Sequence, residues 1–165
     1  MYYFAYCTWL SDAELRKYVP EAKFVTKAKA HNWQIQFRAA SGREDRGWCH
    51  LSNMNAWGFT TQGMVFEVND DRTNDDFDDF GIIAITVHGD DGKAYDCFTY
   101  DLLDPGKPMR PPTYYWRHVP EGLAEQNFPK EYVDIVMGIF NSAAPCPDAD
   151  RPAPSAAPGK DASTR

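Results

Sequence analysis

The residues best suited to chemistry lie at the amino terminus, where Met1-Tyr-Tyr-Phe-Ala-Tyr-Cys-Thr-Trp-Leu10 runs from an aromatic segment into a loop. Tyr2 to Tyr6 has the bias of a buried strand. Ser11-Asp-Ala-Glu14 reads as a capping box, which leaves Cys7, Thr8 and Trp9 between a strand end and a helix start. Backbone amides at such a junction point outward together, and the helix dipole adds partial positive charge, so a small anion or a developing oxyanion is favoured there. The loop is a candidate carboxylate pocket; the alternative is an ordinary strand-to-helix turn. Cys7 adds a second chemistry, because a thiol at a helix start can be acidified and become nucleophilic. A partner imidazole would have to come from His31, His50, His88 or His118, all distant in sequence. The other reading of Cys7 is an inert buried thiol.

Acid and base candidates come from the middle of the chain. Glu67 interrupts the apolar run Gly63-Met-Val-Phe-Glu-Val68. It either faces solvent from an alternating strand or sits inward with a raised pKa, as a general acid or base would. Residues 69–80 form the most acidic stretch and include Asp78 and Asp79. This run lacks the glycine and closing glutamate of a helix-loop-helix calcium site, so it reads as solvated charge and not as a metal site.

The elements that position these residues fit one domain. The chain has 165 residues, 43% hydrophobic and 15% aromatic, enough for a packed core with aromatic walls. Its formal net charge is −7 with no basic stripe, which argues against nucleic acid as a partner. No secretory signal and no apolar run of membrane-span length is present, so a soluble, cytoplasmic protein is expected. The four cysteines have no metal-ligand spacing and are expected as free thiols.

Pro20 should stop the first helix. Residues 21–38 give Ala22–Ala28 and then Trp33–Phe37, and the second piece alternates as a half-buried strand does. Residues 39–48 read as loop, Gly63–Val68 as a strand, and Gly81–Val87 with Lys93–Tyr100 as a hairpin about Asp90-Asp-Gly92. Residues 104–112 read as an extended Pro-rich loop. Thr113 to Val119 reads as a short helix broken at Pro120. A last helix is expected with Asn127 as N-cap and Pro129 in its first turn, setting Tyr132, Ile135, Val136, Ile139 and Phe140 on one face. The domain is expected over residues 1–142, and 143–165 as a disordered Pro/Ala-rich tail.

Taken in order, these pieces resemble the gamma-glutamylcyclotransferase-like family, whose first strand ends in Tyr-Gly-Ser-Asn-Leu or a close variant. Here the stretch is Tyr6-Cys-Thr-Trp-Leu10. Arg46-Gly47, the Gly63–Val68 strand, the Asp91-Gly92 hairpin, Pro111 with Tyr115, Gly122, and Phe128-Pro-Lys-Glu-Tyr132 follow the family's order and spacing. The resemblance implies an α+β fold, a small mixed β-barrel with flanking short helices, and no metal or cofactor. It implies a reaction in which the amine of a γ-glutamyl compound attacks its own γ-carbonyl, closing 5-oxoproline and expelling an amine or amino acid. A carboxylate would relay the proton. Tyr6, Cys7, Thr8, Trp9, Leu10 and Tyr115 would bind the substrate, a small acidic or γ-glutamyl-type metabolite.

The sequence departs from the family at both working parts. Cys7 and Trp9 replace Gly and Asn in the loop, which should narrow the pocket. The family's Glu-Gly aligns with Phe80-Gly81, so the acid must come from Asp79, Asp78 or Glu67. Three readings stay open: a divergent amide-cleaving enzyme, a catalytically silent module binding a small metabolite or a protein on the same fold, and a Cys7-dependent thiol enzyme. Whether the acidic segment closes as a lid is also open.

Overall fold

The computed structural model describes residues 1–70 and 79–154. Strands β1 (Tyr2–Ala5), β2 (Lys23–His31), β5 (Thr60–Glu67), β6 (Phe80–Gly89) and β7 (Ala94–Leu102) close a barrel in the order β1-β5-β2-β6-β7. β1 seals it by running antiparallel to β5 and parallel to β7, where Tyr3 faces Phe98. Strands β3 (Gln34–Ala40), β4 (Arg43–Ser52) and β8 (Pro105–Pro108) make a separate sheet in the order β4-β3-β8. The helices are α1 (Asp12–Tyr18), α2 (Thr113–Trp116), α3 (His118–Glu125) and α4 (Lys130–Ser142), and a 3-10 turn occupies Thr8–Leu10. This is a mixed α+β fold with a closed five-stranded barrel.

The core explains the closure. Phe4, Leu10, Leu15, Met64, Val65, Val87 and Leu123 are all buried inside one cluster. Each large side chain so buried contributes roughly 1.5–3 kcal/mol. β1 approaches β5 so closely that a Cβ on Gly63 would meet the Ala5 carbonyl and the Phe4 ring. Gly122 does the same for α3, where a Cβ would lie 2.5 Å from the Leu10 carbonyl carbon. Only glycine lets α3 lean on the 3-10 turn at that distance.

Several sequence expectations change. Ser11 stands at the start of α1 without a side-chain cap; its amide donates to the Thr8 carbonyl at 3.2 Å, and Glu14 pairs with Lys17 at 2.6 Å. Residues 39–48 are not loop: β3 runs to Ala40, turns at Ser41-Gly42 with Gly42 at φ +74°, and returns as β4. The Pro-rich loop holds β8, paired with β3 through Arg38–Pro108 and Ala40–Pro105, an edge position that tolerates missing amides. Pro120 does not break a helix; it sits in the first turn of α3, where its missing N–H costs nothing. Asn127 is not an N-cap but the left-handed end of α3, at φ +53°. There the amides of Asn127 and Phe128 donate back to Ala124 and Leu123 at 3.1 and 3.0 Å. On α4, Tyr132 and Val136 are buried and Ile135 is 47% exposed, so the apolar face is narrower than its spacing suggests.

The carboxy-terminal expectation changes for residues 143–154, which pack on the body. The Arg110 amide donates to the Ala144 carbonyl and the Thr113 amide to that of Ala149, both at 2.8 Å. Arg151 pairs with Asp45 at 3.1 Å. Backbone pairing and this ion pair order a segment whose side chains have little to bury. Residues 155–165 of the expected tail, and residues 71–78 of the acidic run, lie outside the described residues.

Candidate functional site

A cavity opens where β1 ends, at the seam between barrel and sheet. Tyr3 comes from β1, with Tyr6 just beyond it and Trp9 from the 3-10 turn. Trp48 and Cys49 come from β4, Phe80 from β6, Tyr100 from β7 and Tyr115 from α2. This inner chamber holds about 60 Å³. Its rings brace one another: Tyr3 lies 5.2 Å from Trp9, and Trp48 sits edge-on to Phe80 at 5.4 Å and to Tyr115 at 5.3 Å. Arg46 covers Trp48 with its guanidinium 4.3 Å from the ring.

An outer vestibule of about 320 Å³ shares Trp9, Trp48 and Tyr115 with the chamber. Its other walls mix the polar and charged Thr8, Glu14, Lys17, Arg117 and His118 with Tyr18, Tyr114, Ala153 and Pro154. His118 Nε2 stands 3.4 Å from Glu14. Burial nevertheless holds the imidazole below its ordinary pKa, with the Glu14 charge opposing.

Two sets of contacts fasten the seam. Asp101, buried on β7, accepts from His50 Nδ1 at 2.9 Å and from the Leu51 amide at 2.8 Å, both on β4. The Tyr6 hydroxyl donates to the Tyr100 carbonyl at 3.3 Å and lies against the Asp101 carboxylate. Cys7 and Cys49 form a disulfide, Cα to Cα 6.4 Å, tying the loop after β1 to β4. The Cys49 amide donates to the Tyr115 hydroxyl at 3.3 Å, and that hydroxyl sits 3.6 Å from Cys7 Sγ. Burial pushes the hydroxyls of Tyr3, Tyr6 and Tyr115 well above the usual tyrosine pKa. All three are therefore protonated hydrogen-bond donors at neutral pH.

The structure brings Tyr6, Trp9 and Tyr115 together on the chamber and puts Thr8 on the vestibule. It does not bring in the rest. Leu10 is fully buried in the core beneath α3 and lines neither cavity, a correction to its place among the substrate contacts. Cys7 is not the free thiol expected; its sulfur is bonded to Cys49, so the reading of Cys7 as a nucleophile does not hold in this state, while Cys97 and Cys146 are free and buried. Glu67 is exposed and pairs in register with Tyr2 and Lys23, at the far end of β1 from the chamber, so the solvent-facing reading holds. Asp79 lies beside Phe80 at the chamber edge, but Arg43 Nη1 reaches both its oxygens at 3.0 Å. Asp78 lies outside the described residues. No carboxylate lines the chamber among the described residues.

Sequence reasoning missed Trp48, Tyr100 and Asp101, and considered His50 only as a partner for Cys7, whereas it pairs with Asp101. Asp101 had one available signal, a charge at the apolar end of the returning strand, the same signal that drew attention to Glu67. No group of three or more His, Cys, Asp or Glu side chains is gathered for a metal among the described residues. No helix among them is long and apolar enough to cross a membrane.

No family model and no curated protein matches the chain. Solved structures do. A gamma-glutamyl cyclotransferase superposes with TM-score 0.75 at 19% identity, covering 93% of this chain and 94% of that one. A human protein described as uncharacterized, loc79017, gives TM-score 0.70 at 20% identity over 87% of this chain and 88% of its own. YkqA from Bacillus subtilis gives TM-score 0.70 at 20% identity, over 88% of this chain and 55% of that longer one. Barrel, helices and seam together thus give this chain the fold seen in a gamma-glutamyl cyclotransferase.

Proposed function

We propose that the inner chamber receives a small γ-glutamyl or related amide and that the chain cleaves it by acyl transfer. The substrate's amine attacks its own γ-carbonyl, 5-oxoproline closes, and an amine or amino acid leaves. One observation carries this reading: Tyr6, Trp9 and Tyr115, from separate segments, converge on one cavity at the end of β1, in a fold shared with a gamma-glutamyl cyclotransferase. The protonated Tyr3 hydroxyl, buried on the chamber wall, supplies a donor for a carbonyl oxygen as it gains charge. Asp79 adjoins the chamber through its neighbour Phe80, and Arg43 Nη1 holds both of its oxygens at 3.0 Å. An ionised carboxylate there takes the proton from the attacking amine and returns it to the leaving nitrogen.

A second reading, binding of a small metabolite without turnover, is favoured by that same Arg43–Asp79 pair, which occupies the acid. Incubating the protein with γ-glutamyl amino acids, γ-glutamyl amines and glutathione, with 5-oxoproline followed by mass spectrometry, separates the two. Formation of 5-oxoproline that falls at least about 100-fold in Asp79→Asn, the lower end of what general acid–base groups supply, supports the enzyme with Asp79 as its acid. Undiminished turnover in Asp79→Asn removes Asp79 from the mechanism, and no turnover at all moves the assignment to the binding module.

A further inference from the structure

The Cys7–Cys49 bond stands at the chamber wall, and its two sulfurs are not equivalent. Cys49 lines the chamber, whereas Cys7 does not. The Tyr115 hydroxyl oxygen already accepts the Cys49 amide at 3.3 Å, which turns its own proton elsewhere. Cys7 Sγ, at 3.6 Å, lies where that proton can reach it. Over the whole surface Cys7 is the more exposed residue, 8% against 2%. The preference for Cys49 therefore belongs to thiols that arrive through the chamber, and there a donor waits beside the sulfur that would leave. Exchange is faster when the departing thiolate is stabilised. We propose that Cys7–Cys49 is a thiol-exchange site, in which a small thiol entering the aromatic chamber attacks Cys49 and expels Cys7.

In the first step a thiolate RS⁻ bonds to Cys49 Sγ, the Cys7–Cys49 bond breaks, and its electron pair leaves on Cys7, which accepts the Tyr115 hydrogen bond. A second small thiol then attacks the mixed disulfide, releasing RSSR and the Cys49 thiolate. Both cysteines end as thiols after protonation by water, and two electrons have come from two RSH. The rings of Trp9, Trp48 and Phe80 around a chamber of about 60 Å³ restrict the attacking group to a small molecule. The remaining cysteines serve as internal controls. Burial pushes the Cys97 thiol up to about 12, and Cys146 Sγ is engaged with the Asp45 carbonyl at 3.6 Å. Opening the bond also unties the 3-10 turn from β4, so the width of the chamber becomes linked to the redox state. None of this depends on amide cleavage.

The test uses the full chain, air-oxidised, incubated with 2-mercaptoethanol, quenched with N-ethylmaleimide and mapped by peptide mass spectrometry. The expected result is the mercaptoethanol adduct on Cys49 and maleimide on Cys7, at least about tenfold over the reverse pattern, with Cys97 and Cys146 labelled only after denaturation. Tyr115→Phe should slow adduct formation about tenfold, the rough worth of one hydrogen bond to a developing charge. Should that variant not fold, the site of the adduct in the unsubstituted chain decides alone. An adduct on Cys7, an even split, an unchanged rate in folded Tyr115→Phe, or an oxidised chain without this disulfide overturns the proposal. The 5-oxoproline assay is read separately, so either idea can fail without the other.

Discussion

The inner chamber and the outer vestibule share three rings and differ in where their charged groups stand. The chamber is walled by aromatics and a disulfide, and the polar groups behind it are buried and joined across the seam, as Asp101 is to His50 and Leu51. The vestibule carries its charges on short surface helices, in pairs such as Lys17–Glu14. Charges of the second kind cost little to change, because water replaces the lost partner. Charges of the first kind do not, because nothing replaces it. Structure and stability should therefore be concentrated at the chamber, and tuning at the vestibule.

The strongest challenge to that contrast is Cys49→Ser. The bond it removes spans 42 residues of sequence. Chain entropy alone assigns such a bond roughly 4 kcal/mol, within a usual range of about 2–5. Urea unfolding of the variant should show a loss of that order, and a loss below about 1 kcal/mol would mean the seam is held by other contacts. Next comes Asp101→Ala, which leaves the Leu51 amide and His50 buried without their acceptor. A cost of about 2–3 kcal/mol is expected, read by the same denaturation, and a near-neutral result would move Asp101 out of the seam.

The smallest effect belongs to the vestibule. His118 is held below its ordinary pKa of about 6.5 by burial. The unfolded chain therefore binds the proton more readily, so this group's contribution to stability falls as the pH drops from 7 through that value. Thermal unfolding between pH 7 and pH 5 should show a shallower decline in His118→Gln than in the unsubstituted protein. An identical slope would assign the decline to other groups.

How much of this was legible depended on whether the signal was local. The β1 strand, the Asp90–Gly92 turn and the alternation of Trp33–Phe37 are local, and each marks a real element. Asn127 was misread because the same residue type suits a helix start and a left-handed helix end. Only the helix before it settles which. Likewise Glu67 and Asp101 are both acids in apolar strands, yet the first is exposed and the second buried. What separates them is β4, a partner strand some 50 residues from Asp101, and the sequence does not say which strands meet. The disulfide eluded the reading for the same reason: Cys7 and Cys49 are neighbours only once the loop after β1 faces β4.

The position of Ala153 and Pro154 on the vestibule wall has a consequence for processing of the chain. Met1 is anchored to the Val68 carbonyl, at the barrel end where Tyr2 pairs with Glu67. The two ends of the described chain thus serve different purposes. Proteolysis upstream of Arg151 would sever the Asp45 tether and strip away part of the cavity mouth while leaving every strand in place. Trimming at the carboxy terminus would then act first on the vestibule mouth, where Ala153 and Pro154 stand.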